Sequence, residues 1–126
     1  MSDFSSALGV SASALQMQAR RIRMISENIA NTDTPGYRRK TAAVAPFDGA
    51  GTVALGRVRL DQSPLERVYD PGHPLADVTG HFEASNVDLM IEVADAREAQ
   101  RSYEANLKMF DQTRQMSSEL LGLLRR

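Results

Sequence analysis

The chain has 126 residues, 42% of them hydrophobic, with 15 Lys and Arg against 16 Asp and Glu for a net charge of −1, and it has no cysteine. That length holds one domain, the near-neutral balance gives no overall basic field to hold a nucleic-acid backbone, and without cysteine there are no disulfides, thiolate metal sites or cysteine nucleophiles. Leu, Ile, Val and Phe make up only 28 residues, little above the roughly one-fifth at which chains tend towards disorder, so the chain is expected to be thinly cored when alone.

Over residues 1–10, Asp3 and the lack of a basic stretch ahead of an apolar run argue against a cleaved secretory leader. No run approaches the ~18 apolar residues of a membrane span, and no direct membrane insertion is expected. Apolar residues fall at Leu8, Ala12, Leu15, Ala19, Ile22 and Ile29, with Ile25 widening the stripe. Steps of three and four residues place them on one face of a helix. Ser2 or Asp3 is placed to cap its start, and Pro35 pushes the residue before it out of the α region. The spacing predicts a helix over Met1–Thr32 within a first unit spanning 1–34.

Gly, Pro and Asp concentrate in a second unit, 35–85, expected to be a small β-rich insert. Thr41–Phe47, Thr52–Leu60 and Leu65–Tyr69 read as short strands, the second with its alternation slipping at Gly56, which marks a bulge. Asp70-Pro71-Gly72-His73-Pro74 is a dense turn signal, and His81–Phe82 closes a small hairpin after Gly80.

The third unit, 86–126, is a longer helix. Ser85-Asn86-Val87-Asp88 offers a start resembling a capping box. Leu89, Val93, Ala96, Gln100, Tyr103, Leu107, Phe110, Arg114, Ser117, Leu121 and Leu124 then recur in steps of four and three. That is a heptad-like seam, interrupted at Gln100, Arg114 and Ser117. A helix this long, roughly 58 Å, belongs with coiled coils once its charges exclude the bilayer. The fold class is therefore mainly α. Leu8, Leu15, Ile22 and Ile29 are expected to face Val93, Tyr103, Leu107 and Phe110 in an antiparallel coiled coil, with Leu121 extending the packing surface. One N-terminal partner of about 30 residues leaves part of the longer helix uncovered, and that remainder calls for another chain.

His73 and His81, near Asp70, Asp77 and Glu83, form the cluster best placed to bind a metal or move protons, yet their spacing fits no metal motif and the first of them sits in a turn that needs no further explanation. A small hydrolase using His73 with Asp70 or Asp77 is the weakest functional reading. Arg20, Arg21 and Arg23, and Arg38, Arg39 and Lys40, read as a solvated helix face and a strand end. The chain shows no phosphate loop, nucleophile elbow or His-Glu-x-x-His pair. No catalytic residue, cofactor or metal is expected.

The end of the first helix is more particular. Ser26, Glu27, Asn28, Ile29, Ala30 and Asn31 run into Thr34, Pro35, Gly36 and Tyr37. As a helix stop this needs only Asn in the left-handed region and a Pro-Gly turn, which leaves the rest of the motif unexplained. The segment resembles the N-terminal motif of the bacterial flagellar axial proteins, Ser-Glu-Asn-Ile-Ala-Asn-x-x-Thr-Pro-Gly-Tyr. Tyr69–Pro74, Ser85–Asp88 and Arg101–Asn106 resemble the proximal-rod members more than the distal rod and hook members, whose middle region is far longer. Val44–Asp61 carries no resemblance, and the insert is short for the family.

The resemblance implies a non-enzymatic structural subunit of the basal-body rod, the shaft that crosses the periplasm and transmits torque towards the hook. It implies export through the flagellar type III apparatus without leader cleavage, then folding on assembly, with the terminal helices packed around a channel. Implied neighbours are other rod proteins, copies of itself, the basal-body adaptor and the motor ring. Two readings compete: a different small rod component of the same family, and a cytoplasmic coiled-coil adaptor that never leaves the cell.

Overall fold

In a computed structural model, which describes residues 2–46 and 51–125, helix α1 spans Ser2–Ala30 and helix α2 spans Leu89–Leu124. Met1, Arg126 and the Phe47 end of the strand expected over Thr41–Phe47 lie outside the described residues. Between the helices come six short strands: β1 (Lys40–Thr41), β2 (Val44–Pro46), β3 (Val53–Leu55), β4 (Arg59–Leu60), β5 (Arg67–Tyr69) and β6 (His81–Glu83). The helices pack on each other more extensively than any other elements do. Arg21 meets Glu98 at 3.6 Å and Asn28 meets Glu92 at 3.4 Å, so they run antiparallel. No described helix is long and apolar enough to cross a membrane.

The strands pair as three antiparallel ladders, β1 with β4, β2 with β3 and β5 with β6. The first two form one interrupted hairpin. Thr41 pairs with Arg59 and Val44 with Leu55, so Ala42 and Ala43 face three residues, Gly56 to Val58. The extra residue on one side is the slip expected at Gly56, whose N–H donates to the Ala43 carbonyl at 2.7 Å. The hairpin leans on α1 through Ser13, whose hydroxyl donates to the Val10 carbonyl at 2.8 Å and accepts from the Val53 N–H at 3.1 Å. In the second hairpin Gly80 takes φ 81°, and a Cβ there would stand 2.8 Å from Tyr69 Cε2. Positive φ and close approach both require glycine.

The capping box is corrected by the structure. Asp88, not Ser85, is the N-cap of α2, accepting from the Met90 N–H at 3.0 Å. The Ser85 hydroxyl instead donates to the Thr32 carbonyl, at the exit from α1. A buried serine with a carbonyl in reach satisfies that group rather than the exposed helix start.

The facing surfaces also differ from the expected seam. Among the described residues Met17, Ile25 and Ala99 are the buried apolar side chains, while Gln18, Asn28, Ser85 and Glu92 are buried polar ones. Leu8, Leu15, Ile22 and Ile29 are half-buried, as are Ala96, Tyr103, Phe110 and Leu121. Val93 and Leu107 remain 38% and 40% exposed. The stripe of α2 turned inward keeps Ala96, Tyr103, Phe110, Ser117 and Leu121 of that seam, but Glu92, Ala99, Asn106 and Thr113 take the places expected for Val93, Gln100 and Leu107. Ala99 lets the helix backbones approach, and Glu92 turns inward because its partners lie there.

Candidate functional site

Residues across Ser26–Tyr37 carry backbone and side-chain hydrogen bonds that tie the end of α1 to the chain that follows it. Helix α1 unwinds after Ala30 through bonds from the Asn31 N–H to the Glu27 carbonyl, 3.1 Å, and from the Thr32 N–H to the Ile29 carbonyl, 3.2 Å. Asn31 Nδ2 also donates to the Glu27 carbonyl at 2.9 Å, and the Thr32 hydroxyl to the Ile29 carbonyl at 2.8 Å. These side chains satisfy acceptors that a helix end leaves orphaned. Among the described residues only glycines have positive φ, so Asn31 does not adopt the left-handed conformation considered for it. Thr34, Pro35, Gly36 and Tyr37 form a turn closed by the Tyr37 N–H on the Thr34 carbonyl at 3.2 Å, with Gly36 at φ 74°. Pro at the second position and a positive-φ Gly at the third make it type II. The turn brings the chain back so that Tyr37 and Lys40 lie over the end of the helix they have just left.

Asn28 is the centre of this fold-back, with 1% of its surface exposed. Its Nδ2 donates to the Lys40 carbonyl at 2.9 Å and to Glu92 Oε2 at 3.4 Å. Its Oδ1 accepts from the Lys40 N–H at 2.9 Å and the Tyr37 hydroxyl at 2.8 Å. Two donors and two lone pairs are the full capacity of the amide. Among the other natural side chains, only glutamine carries the same donor and acceptor set, and it is one methylene too long for the same place. Burial, then the Glu27 carboxylate, raises the pKa of Tyr37, which keeps its hydroxyl protonated and donating.

Glu92 is 0% exposed. A buried carboxylate is costly unless paired and hydrogen-bonded. Arg39 Nε pairs with Oε1, Asn28 serves Oε2, and Arg39 Nη2 reaches Asp95 Oδ2 at 3.3 Å. Burial works against the Arg39 charge, but the hydrogen bond and charge of Glu92, with Asp95 and Asp61 behind it, outweigh that and raise its pKa. At the rim, Lys40 Nζ meets Glu27 Oε1 at 2.5 Å.

The start of α2 is strapped to the same place. Asn86 Oδ1 accepts from the Arg39 N–H at 2.6 Å, and its Nδ2 donates to the Asp61 and Ser63 carbonyls at 3.0 and 3.2 Å. The Asn86 N–H reaches the Tyr37 carbonyl at 3.4 Å, and the Gly36 N–H reaches the Glu83 carbonyl at 3.1 Å. Motif, insert and α2 thus meet at one joint. Every side-chain polar atom of Asn28 and both Glu92 carboxylate oxygens are engaged, so the arrangement holds three segments in register.

Of the motif residues, Asn28, Asn31, Thr34, Pro35, Gly36 and Tyr37 have roles in this joint or its turn, Glu27 stands at its rim, and Ser26 and Ala30 are exposed. Sequence reasoning missed Arg39, Asn86 and above all Glu92. The one available signal was that Glu92 lies seven residues before Ala99, on a face with Ala96 and Tyr103, where a lone carboxylate needs a cation.

His73 stacks on Phe82 with ring centroids 3.9 Å apart, and its Nδ1 accepts from the Leu75 N–H at 3.1 Å. His81 tilts against Tyr69 at 5.1 Å, and its backbone N–H donates to Asp77 Oδ1 at 3.1 Å. Both histidines thus make contacts that hold the turn. No group of three His, Asp or Glu close enough to hold a metal occurs among the described residues.

Residues 8–38 match the family described as "Flagella basal body rod protein", and residues 78–123 match "Flagellar basal body rod FlgEFG protein C-terminal". The first match ends at the type II turn and the second contains all of the N-terminal part of α2 that closes the joint. Over 99% of its length the chain is 40% identical to the flagellar basal-body rod protein FlgC of Agrobacterium fabrum, covering 98% of that protein. It is 33% identical over 90% of its length to FlgC of Salmonella typhimurium, covering 92% of it, and 32% identical over 94% to FlgC of Borreliella burgdorferi, covering 96%.

Proposed function

From the premise that this chain belongs to the FlgC family of flagellar basal-body rod proteins, we infer how a structural subunit of the proximal rod is built for its place. Its relatives are structural rod proteins, not enzymes, and its location is the basal-body rod.

The finer reading is that the subunit is exported by the flagellar type III apparatus, folds fully only on assembly, and passes torque along a rod that crosses the periplasm. One observation carries it: among the described residues only Met17, Ile25 and Ala99 are buried apolar side chains, while Leu89, Met90, Ile91, Val93, Leu107 and Met109 stay exposed. Such apolar area is worth roughly 25 cal/mol per Å² when neighbours cover it. Polymerisation then supplies folding free energy that the monomer lacks. An easily unfolded monomer suits export, and a buried helix face suits a stiff shaft.

On this reading α1 and α2 form the coiled-coil half of the subunit, and 35–85 is a separate small insert. Leu8, Leu15, Ile22, Ile29, Tyr103, Phe110 and Leu121 serve packing within the pair, while Val93 and Leu107 serve assembly. The motif Ser26–Tyr37 sets the angle at which the insert leaves the helices. Partners are other rod proteins, copies of this chain, the basal-body adaptor, the motor ring and the export apparatus. Circular dichroism of the purified monomer, set against its helix content in isolated basal bodies, tests the folding step. A monomer that is fully helical and melts sharply would overturn it, and a chain found only in the cytoplasmic fraction would overturn the rod assignment.

A further inference from the structure

Two uncovered apolar patches lie on α2. At its N-terminal end Leu89, Met90, Val93 and Ala94 floor a shallow groove rimmed by Arg97, Arg101 and Glu98, the last of them paired with Arg21 at 3.6 Å, and Met90 is 83% exposed. Towards the C-terminus Met109, Met116, Leu120 and Leu123 recur at helical spacing, each at least 44% exposed. The two are separated by about 40 Å along the helix and, at 3.6 residues per turn, by on the order of 100° around it.

That geometry limits how copies can meet. Two α2 helices related by a two-fold axis present the same side to each other along their length, so no such pair covers both patches. A head-to-tail contact covers one of each and leaves the others free for the next copy. Charge agrees with this pairing. Among the described residues Arg97 and Arg101 have no ion-pair partner, and neither does Glu119, which borders the C-terminal stripe.

We propose that the groove at the N-terminal end of α2 receives the Met116–Leu123 stripe of a second copy of this chain, with the second copy's Glu119 against Arg97. Burying two complementary apolar strips with the opposite charges at their edge gives a contact that is directional, and repeated it builds a ring or an open helix rather than a closed pair. The inference rests on the rod reading, since it needs several copies side by side.

The chain has no cysteine, so engineered pairs report contacts cleanly. Cells would carry two tagged copies, one Val93→Cys and one Leu120→Cys, and basal bodies would be purified and oxidised. Those positions lie mid-patch and meet whichever way the two helices run. A mixed disulfide between the two tagged copies, absent when either variant is alone, is the expected result. Arg97→Glu lowers its yield several-fold, and Glu119→Arg in the other copy restores it. Homodisulfides of either variant would show two-fold pairing and overturn the proposal. So would basal bodies that contain both copies with no mixed disulfide, and the rod reading would survive. Should either variant fail to incorporate, Met90→Cys with Leu123→Cys asks the same question for antiparallel helices, and Met90→Cys with Met116→Cys for parallel ones. Absence of the unmodified chain from basal bodies would overturn the rod reading itself.

Discussion

Asn28 on α1 and Glu92 on α2 meet with Nδ2 at 3.4 Å from Oε2 across 64 positions of sequence. The contact joins the best-marked motif of the N-terminal half to an unmarked carboxylate of the C-terminal half. Asn28 also holds both polar groups of the Lys40 backbone, so one amide decides where the insert begins and where α2 lies. Buried polar joints of this kind add little net stability but fix register, because every wrong alignment leaves groups unsatisfied.

Replacing Asn28 by Leu removes four bonds and leaves the Tyr37 hydroxyl, the Lys40 backbone and Glu92 short of partners. Unsatisfied buried groups cost about 1–3 kcal/mol each before relaxation, so a loss of about 3 kcal/mol is expected in a urea melt. Asn28→Asp keeps the acceptor but sets a second carboxylate beside Glu92. It is expected to be as damaging at neutral pH, and less so in acid.

Arg39→Met strands the Glu92 carboxylate and is expected to lose about 3–5 kcal/mol. Glu92→Met leaves Arg39 its contact with Asp95 and is expected to lose less. The double variant should be more stable than the sum of the two predicts, with a coupling above about 1 kcal/mol in a double-mutant cycle. Additive losses would mean that the pair does not act as a unit.

Gly80→Ala places a Cβ 2.8 Å from Tyr69 Cε2 and 3.2 Å from Pro71 Cγ at φ 81°, and should lower stability by about 1–3 kcal/mol. Gly9→Ala meets nothing within 4 Å and sits inside α1, where alanine is better by about 1 kcal/mol. Thermal melts should therefore move in opposite directions for the two.

Hydrogen bonds from the Thr79 side chain and then the His81 N–H lower the Asp77 pKa to about 2. A carboxyl in the unfolded chain titrates at about 3.9. Because the folded value is the lower one, this stabilisation is complete above about pH 4 and is lost as pH falls through about 2. Thr79→Val should move the Asp77 titration, followed by NMR, back towards the unfolded value.

Leu107 is 40% exposed, at the edge of the α2 face that carries the half-buried Tyr103 and Phe110. Leu107→Asp should leave the circular dichroism of the monomer unchanged and abolish swimming, since a charge in a surface that neighbours cover costs several kcal/mol. Tyr103 is half-buried in the single chain, so Tyr103→Asp should lower monomer stability as well as swimming. Normal swimming in the Leu107 variant would remove that position from the assembly surface.

Both helices were legible in the sequence because period and termination are local properties. Leu8 to Ile29 mark one face, and Pro35 with Gly36 stops the helix and sets the turn. The slip at Gly56 was legible for the same reason, as a break in alternation. The strands came out shorter than expected, since their ends depend on pairing rather than on propensity.

What the sequence determined by itself was therefore the helices, the turn chemistry and the family to which the motif points. Tertiary structure alone decided which side of α2 turns inward. An apolar count puts Val93 and Leu107 there, but the folded chain puts Glu92 and Ala99 there instead. The reason is physical: a helix can rotate its apolar stripe towards future neighbours at modest cost, whereas a carboxylate bonded to Arg39 and Asn28 must face them. Those partners are distant in sequence, and no periodicity records them.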